Sequence, residues 1–342
     1  MPDFVALGEL LIDWVPTVSG VTLTEAPAFK KAPGGAPANV AAGLARLGVS
    51  AGFMGKVGDD PFGHFLAQTL SQVGVDITAL RFSAEARTAL AFVSLRADGE
   101  REFVFYRHPS ADMLYAPGEV DMDYVRRAKA FHYGSISLIG EPSRSATLLA
   151  VETARRAGAL ISYDPNLRLS LWPSAEAAQE GMLLGWPLAH VIKVSEEELA
   201  FLAGPDDLEA GARRLWHPRL RLLIVTLGQA GCAYLTPQFS GQVPGFAVKA
   251  VDTTGAGDGF VAGLLKGLLD QPQADQDESR LREICRYANA VGALTTTRRG
   301  AIPALPTAPQ VNRLLRQATA RNKELAFVDK LIQQGPVPGK RT

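Results

Sequence analysis

The chain has 342 residues, 47 % apolar and 20 % charged, with 35 Lys plus Arg against 35 Asp plus Glu. That suits one large α/β domain with a small appendage and a substantial core. A formal net charge of zero offers no basic stripe for nucleic acid and nothing to hold the chain at a membrane surface. The two cysteines, Cys232 and Cys285, have neither metal-site spacing nor a disulfide framework, and read as buried thiols in a reducing compartment. The N-terminus lacks a basic region followed by an apolar core and a cleavage site, and no apolar run is long enough to span a bilayer. The expectation is a soluble, cytoplasmic protein.

In chain order, Phe4 to Ile12 is an apolar run of strand length, closed by Asp13. Ala36 to Leu47 is alanine-rich, has Pro near its start and Gly48 after it, and predicts a helix. A second helix is expected from Pro61 to Val73, ending at Gly74. Residues 88–106 alternate around Asp98-Gly99 and predict a hairpin. From residue 130 the pattern changes to strands and helices in turn. Strands are expected at 130–135, 159–164, 189–194 and 220–226, and a hairpin at 231–250. Helices are expected at 142–157, 195–202, 256–270, 278–296 and 307–319. Ser195 reads as an N-cap with Glu198 three residues on. Alternating strands and helices imply a largely parallel sheet wrapped by helices. The hairpin and residues 14–32 do not fit that alternation and read as a β lid over a site. The expected organisation is one domain over 1–320, with a lid built from about 14–32 and 88–115. The tail over 321–342 is polar and expected to fray at its end.

The most informative stretch is Asp252-Thr-Thr-Gly-Ala-Gly-Asp258-Gly, which runs into an apolar helix. Its glycines let consecutive N–H groups turn one way, at a helix N-terminus where unpaired donors and the dipole favour an anion. Such a cradle suits a phosphate, and an aspartate inside it can accept the proton of an attacking hydroxyl. The plain alternative is that Asp258 only caps the helix. Pro33-Gly34-Gly35-Ala-Pro-Ala-Asn39 is a second candidate. Two glycines admit a ligand to the backbone, and Asn39 offers the donor and acceptor that a sugar hydroxyl needs. Asp13 can accept from two neighbouring hydroxyls. Taken alone, these residues also fit a tight loop, a helical Asn and a solvated Asp. Thr226-Leu-Gly228-Gln-Ala-Gly231 is either a nucleotide-facing turn or an ordinary one. Asp164-Pro-Asn166-Leu-Arg168 carries an Arg that either meets phosphate or substrate oxygens or is solvated. No Walker A loop, G-x-G-x-x-G or G-x-S-x-G is present, and the five histidines lack metal-ligand spacing.

Together with Lys56-Val-Gly-Asp59-Asp-Pro-Phe-Gly63, these motifs in this order resemble the ribokinase-type, or phosphofructokinase-B, carbohydrate kinases over about residues 4–310, and within them fructokinases. The resemblance implies a ribokinase-like three-layer α/β fold, mostly parallel and flanked by helices, with a small β lid. It implies Asp258 as base, with Gly255, Ala256 and Gly257 supplying an anion hole and Arg168 stabilising phosphoryl charge. Asp13, Gly34, Gly35 and Asn39 would bind the sugar, and Tyr106 and Arg107 would close over it from the lid. Lys193, Thr226, Gly228, Gly231 and Asn289 would line the ATP site. Asp252, Thr254, Thr295, Arg298 and Gly300 match positions around a potassium ion. Glu198 would act through water on magnesium, although this chain has Ser195 where many relatives have Asn. A homodimer through the lid, no nucleic-acid partner and no membrane partner are also expected. Fructose is the expected sugar. A keto-deoxy-gluconate kinase is the nearest rival and would need Arg107 or Arg168 for the substrate carboxylate. A sugar-binding regulator without chemistry is the rival from another class.

Overall fold

The computed structural model describes residues 2–18, 20–95, 101–205 and 207–333. The opening apolar run is two strands, β1 (Phe4–Leu7) and β2 (Leu11–Pro16), which belong to different sheets. This corrects the expectation of one strand over 4–12, and it puts Asp13 inside β2 instead of at the end of β1. An apolar run marks burial but not where the chain changes partner strands.

The chain continues through β3 (Phe29–Gly34), α1 (Ala36–Arg46), β4 (Ala51–Gly58), α2 (Pro61–Gln72), β5 (Leu80–Ser83), β6 (Leu90–Leu95) and β7 (Arg101–Tyr106). Then come α3 (Met122–Arg126), β8 (Ala130–Gly134), α4 (Ser143–Arg156), β9 (Leu160–Asp164), α5 (Ala175–Gly185), β10 (Val191–Ser195), α6 (Glu196–Ala203) and α7 (Leu208–Arg214). The last elements are β11 (Leu222–Thr226), β12 (Gly231–Leu235), β13 (Ser240–Pro244), α8 (Ala256–Asp270), α9 (Glu278–Thr295) and α10 (Ala308–Gln333). The final helix therefore runs past 319 and into the stretch expected to be a tail. The Asp98-Gly99 turn lies outside the described residues, but its two strands pair antiparallel from Leu90↔Tyr106 to Leu95↔Arg101.

Among the described residues, nine strands form the main sheet in the order β13-β12-β11-β10-β9-β8-β1-β4-β5. Pairing is parallel from β11 to β5 and antiparallel at the β12 and β13 edge. The small sheet has the order β3-β2-β6-β7. Alternation along β1 explains the layers. Phe4 and Ala6 pack with α1, α8 and α9, whereas Val5 and Leu7 pack with α4, α6 and α7. All four are buried, as a parallel strand covered on both faces must be. Among the described residues no helix is long and apolar enough to cross a membrane.

Candidate active site

The alanine and glycine content of α1 and α8 decides where the site forms. A Cβ added at Gly43 of α1 would lie 2.6 Å from the Ala262 Cβ of α8, so the two helices touch almost backbone to backbone. Their N-termini consequently meet above the carboxyl ends of the parallel strands, where open α/β sheets bind ligands. Asn39, in the first turn of α1, donates from Nδ2 to Asp258 Oδ2 at 2.8 Å. Its Oδ1 is buried and has no hydrogen-bond partner among the described residues. A buried acceptor of that kind suits a ligand hydroxyl.

Asp258 sits in the first turn of α8 and is buried. Burial pushes its carboxyl up to about 6, and Asp164 adds to the rise, while Asn39, Lys193 and Arg168 oppose it. The turn before it requires glycine at 255, whose φ is 76° and whose added Cβ would lie 2.8 Å from the Ala301 Cβ. Gly257 is different. A Cβ there would meet only the end of the Lys193 side chain, Nζ at 3.2 Å and Cε at 3.9 Å. Lys193 Nζ in turn lies 3.1 Å from Asp164 Oδ2, a buried pair directly beneath the cradle. Burial pulls the Lys193 ammonium down, but Asp164, Glu198 and Asp258 outweigh it, and the net direction is up.

Asp13 faces the same space from the small sheet. Burial pushes its carboxyl up to about 7; Arg168 opposes this, and Asp258 and Asp252 reinforce it. A Cβ at Gly34 would overlap the Asp13 carboxylate, so glycine is what lets β3 lie against it. Asp13, Asn39, Gly34, Gly35, Arg168 and Asp258 are thus brought together.

Arg107 is not part of that convergence in the expected way. It is buried, and its guanidinium donates to Asp112 Oδ2 from Nε at 2.8 Å and from Nη2 at 2.6 Å. Tyr106, next to it, is 63 % exposed at the end of the small sheet. Asn289 directs Nδ2 at the carbonyls of Val243 (3.0 Å) and Pro244 (3.2 Å), tying α9 to the edge strand. Thr226 ends β11 and donates to the Val194 carbonyl at 3.3 Å; the turn beyond it holds Gly228 and Gly231 at positive φ. Glu198 has both oxygens on backbone amides, Leu167 N at 2.7 Å and Ser195 N at 2.8 Å, so it braces the loop that carries Arg168.

Asp252 organises the loop before α8. Oδ1 accepts from Thr254 N and Oγ1, and Oδ2 accepts from Gly300 N at 2.9 Å. With Val251 and Asp252 also donating to the Thr296 carbonyl, the 251–255 and 296–300 segments are zipped together. The Thr295 hydroxyl is buried and donates to Val291 O at 2.8 Å. The oxygens of these loops, carboxylate and carbonyl, are the donor type that a hard cation takes. Among the described residues there is no cluster of three or more His, Cys, Asp or Glu that could hold a metal ion. Sequence reasoning did not single out Asp112, Glu9 or the ion-pair role of Asp164. Glu9 and Asp164 find their partners 27 and 29 positions away, whereas Asp112 pairs with Arg107 five residues before it; of the three, the Asp164 motif carried a signal.

Two helix N-termini, with a buried aspartate between them, meet over a mostly parallel sheet in a ribokinase-like fold. Residues 1–308 match the pfkB family carbohydrate kinases, and the chain belongs to that family. It is 61 % identical over 313 residues to the probable fructokinase-4 of Arabidopsis thaliana, covering 91 % of this chain and 96 % of that one. The structure of fructokinase with bound ATP from Xylella fastidiosa superposes with a TM-score of 0.86 at 36 % identity, covering 93 % of this chain and all of that one. A fructokinase double mutant from Vibrio cholerae, in a form with fructose, ADP and potassium bound, has a TM-score of 0.82 at 36 % identity. It covers 92 % of this chain and 98 % of that one.

Proposed function

We propose that the protein transfers the terminal phosphoryl group of ATP to D-fructose, giving fructose 6-phosphate. The observation that carries this is the Asn39–Asp258 pair at the meeting of two helix N-termini, with the Asp13 carboxylate facing it. Likeness to fructokinases across nearly the whole chain supports the choice of sugar.

In this reading Asp13, Asn39 and the Gly34–Gly35 backbone orient the sugar. Asp258 accepts the proton of the attacking hydroxyl late in a loose transition state. The N–H groups at Gly255, Ala256 and Gly257, with Arg168, hold the phosphoryl oxygens as charge develops. ATP lies along the Thr226–Gly231 turn, where backbone can approach a phosphate. Magnesium, when bound with ATP, would supply charge neutralisation, and Glu198 acts through the loop it braces. Carbonyl oxygens of the 251–255 and 296–300 loops, organised by Asp252, would hold potassium, which would supply positive charge beside the anion hole. The small sheet closes over the sugar and excludes water. It also pairs two copies, since it exposes Val104 and Tyr106 on its edge strand β7 and Val15 on β2.

A kinase acting on a sugar acid is disfavoured. Of the two arginines proposed to meet a carboxylate, Arg107 is neutralised by Asp112 inside the protein. Initial rates with fructose, ribose, glucose and keto-deoxy-gluconate test this. Fructose is expected to have the highest kcat/KM, and a preference for the acid would overturn the assignment.

The rate should also report the two raised carboxyls. Asp13 must be ionised to accept from hydroxyls, and Asp258 must be ionised to take a proton. With Asp13 at about 7 and Asp258 at about 6, kcat/KM for fructose should fall as pH drops through 7 and steepen below 6. A profile that stays flat down to pH 5 would contradict both roles.

A further inference from the structure

Three of the chain crossings between the two sheets meet at one buried carboxylate. Glu9 lies on the first crossing, between β1 and β2, and is 3 % exposed. Its Oε1 accepts from Ala36 N at 2.7 Å, at the second crossing, where β3 hands over to α1. Its backbone carbonyl also lies against Gly35, where a Cβ would overlap it. The third crossing leaves β7 and carries the Arg107–Asp112 ion pair, with Ser110 Oγ donating to Asp112 Oδ1 at 2.5 Å. Glu9 and Asp112 line one cavity of about 10 Å³ with Tyr115, Ser137 and Ser143. Arg107 attracts the Glu9 charge and Asp112 repels it.

Packing alone does not account for this residue. Burial pushes the Glu9 carboxyl up to about 7, so its charge costs stability near neutral pH. Groups that cost stability at a convergence of segments are typical of working sites. The Ala36 N–H is one of the open donors of α1, and α1 presents Asn39 to Asp258 one turn later.

We propose that Glu9 is a positioning residue for the sugar acceptor. Its carboxylate holds the Ala36 N–H, which sets Gly34, Gly35 and Asn39 in place, and it couples that loop to the Arg107–Asp112 leg of the small sheet. The inference rests on the sugar-kinase reading and adds a residue that never touches the sugar.

Steady-state kinetics of Glu9→Ala and Glu9→Gln test it, with the acceptor that the wild type turns over. Glu9→Ala should raise the KM for the sugar about tenfold, with the KM for ATP changed less than about twofold and kcat less than about threefold. Glu9→Gln keeps an oxygen that can accept from Ala36 and should restore the sugar KM to within about threefold of wild type. An unmoved sugar KM in folded Glu9→Ala, a parallel rise for ATP, or a Gln variant as impaired as Ala would each overturn the proposal. Should Glu9→Ala not fold, amide exchange in the wild type decides. Sugar alone should slow exchange in both 33–39 and 110–114, and protection confined to 33–39 would overturn the coupling. An active wild type with unmoved variants defeats this inference alone. A wild type that turns over no acceptor defeats the kinase reading and this inference with it.

Discussion

Replacing Asp258 with Asn should reduce kcat by about a thousandfold while leaving the sugar dissociation constant within about threefold of wild type. The side chain is isosteric, and its carbonyl oxygen can still accept from Asn39, so the site keeps its shape and loses only its base. Stability moves the other way. The Asp258 carboxyl is pushed up to about 6 in the fold, so the folded state disfavours its ionised form. The favourable contribution of the protonated group is present below the unfolded value and is lost as pH rises through 6. Asn carries no charge to lose, and the variant should melt at a higher temperature than wild type at pH 8. Retention of more than about a tenth of the activity would remove Asp258 from the role of base.

The second large effect is expected at Gly255. Alanine there must adopt a φ of 76°, which costs about 1–2 kcal/mol, with its Cβ 2.8 Å from the Ala301 Cβ and 3.0 Å from the Ala301 Cα. The backbone cannot yield cheaply, so the turn moves and takes its N–H groups with it. We expect kcat to fall by about a hundredfold, as for loss of an oxyanion donor, with a lower melting temperature. Gly257→Ala is the comparison. Its Cβ meets only the flexible end of Lys193 and its φ is not positive, so melting should change far less. If Gly255→Ala matched wild type in turnover, the cradle would not lie at this turn.

How much of this was legible in the residues varies by element. The alternation around Asp98-Gly99 pointed to the β6–β7 pairing because period-two patterning and a turn dipeptide are local signals. The helix starts at Ala36 and Ala256 were equally local, marked by Pro and Gly at their first turns. The division of the first apolar run was not local. Both strands are apolar, and only the crossing at Gly8–Leu10 separates them. β4 carries Gly52, Gly55 and Gly58, which weaken any strand pattern.

The site follows the same rule. Asp258 and Asn39 each had a motif, but their hydrogen bond spans 219 positions of sequence and depends on how closely α1 and α8 pack. Arg107 looked like a ligand-facing cation because its charge is visible in the sequence, whereas its pairing with Asp112, five residues on, is set by the fold. Asp112 neutralises it only after the chain turns back beyond β7. Glu9 offered no signal, since a glutamate in an apolar run reads as an exposed interruption, whereas the fold buries it on the Ala36 amide.

The most direct measurement of the central claim is ADP release from magnesium-ATP with potassium present, in the presence and absence of D-fructose. We expect fructose to raise the rate by at least about a hundredfold over the water reaction, with phosphate appearing on the sugar. ADP release that fructose does not change, in folded protein that still binds the sugar, would contradict the account and favour a sugar-binding protein without phosphotransfer.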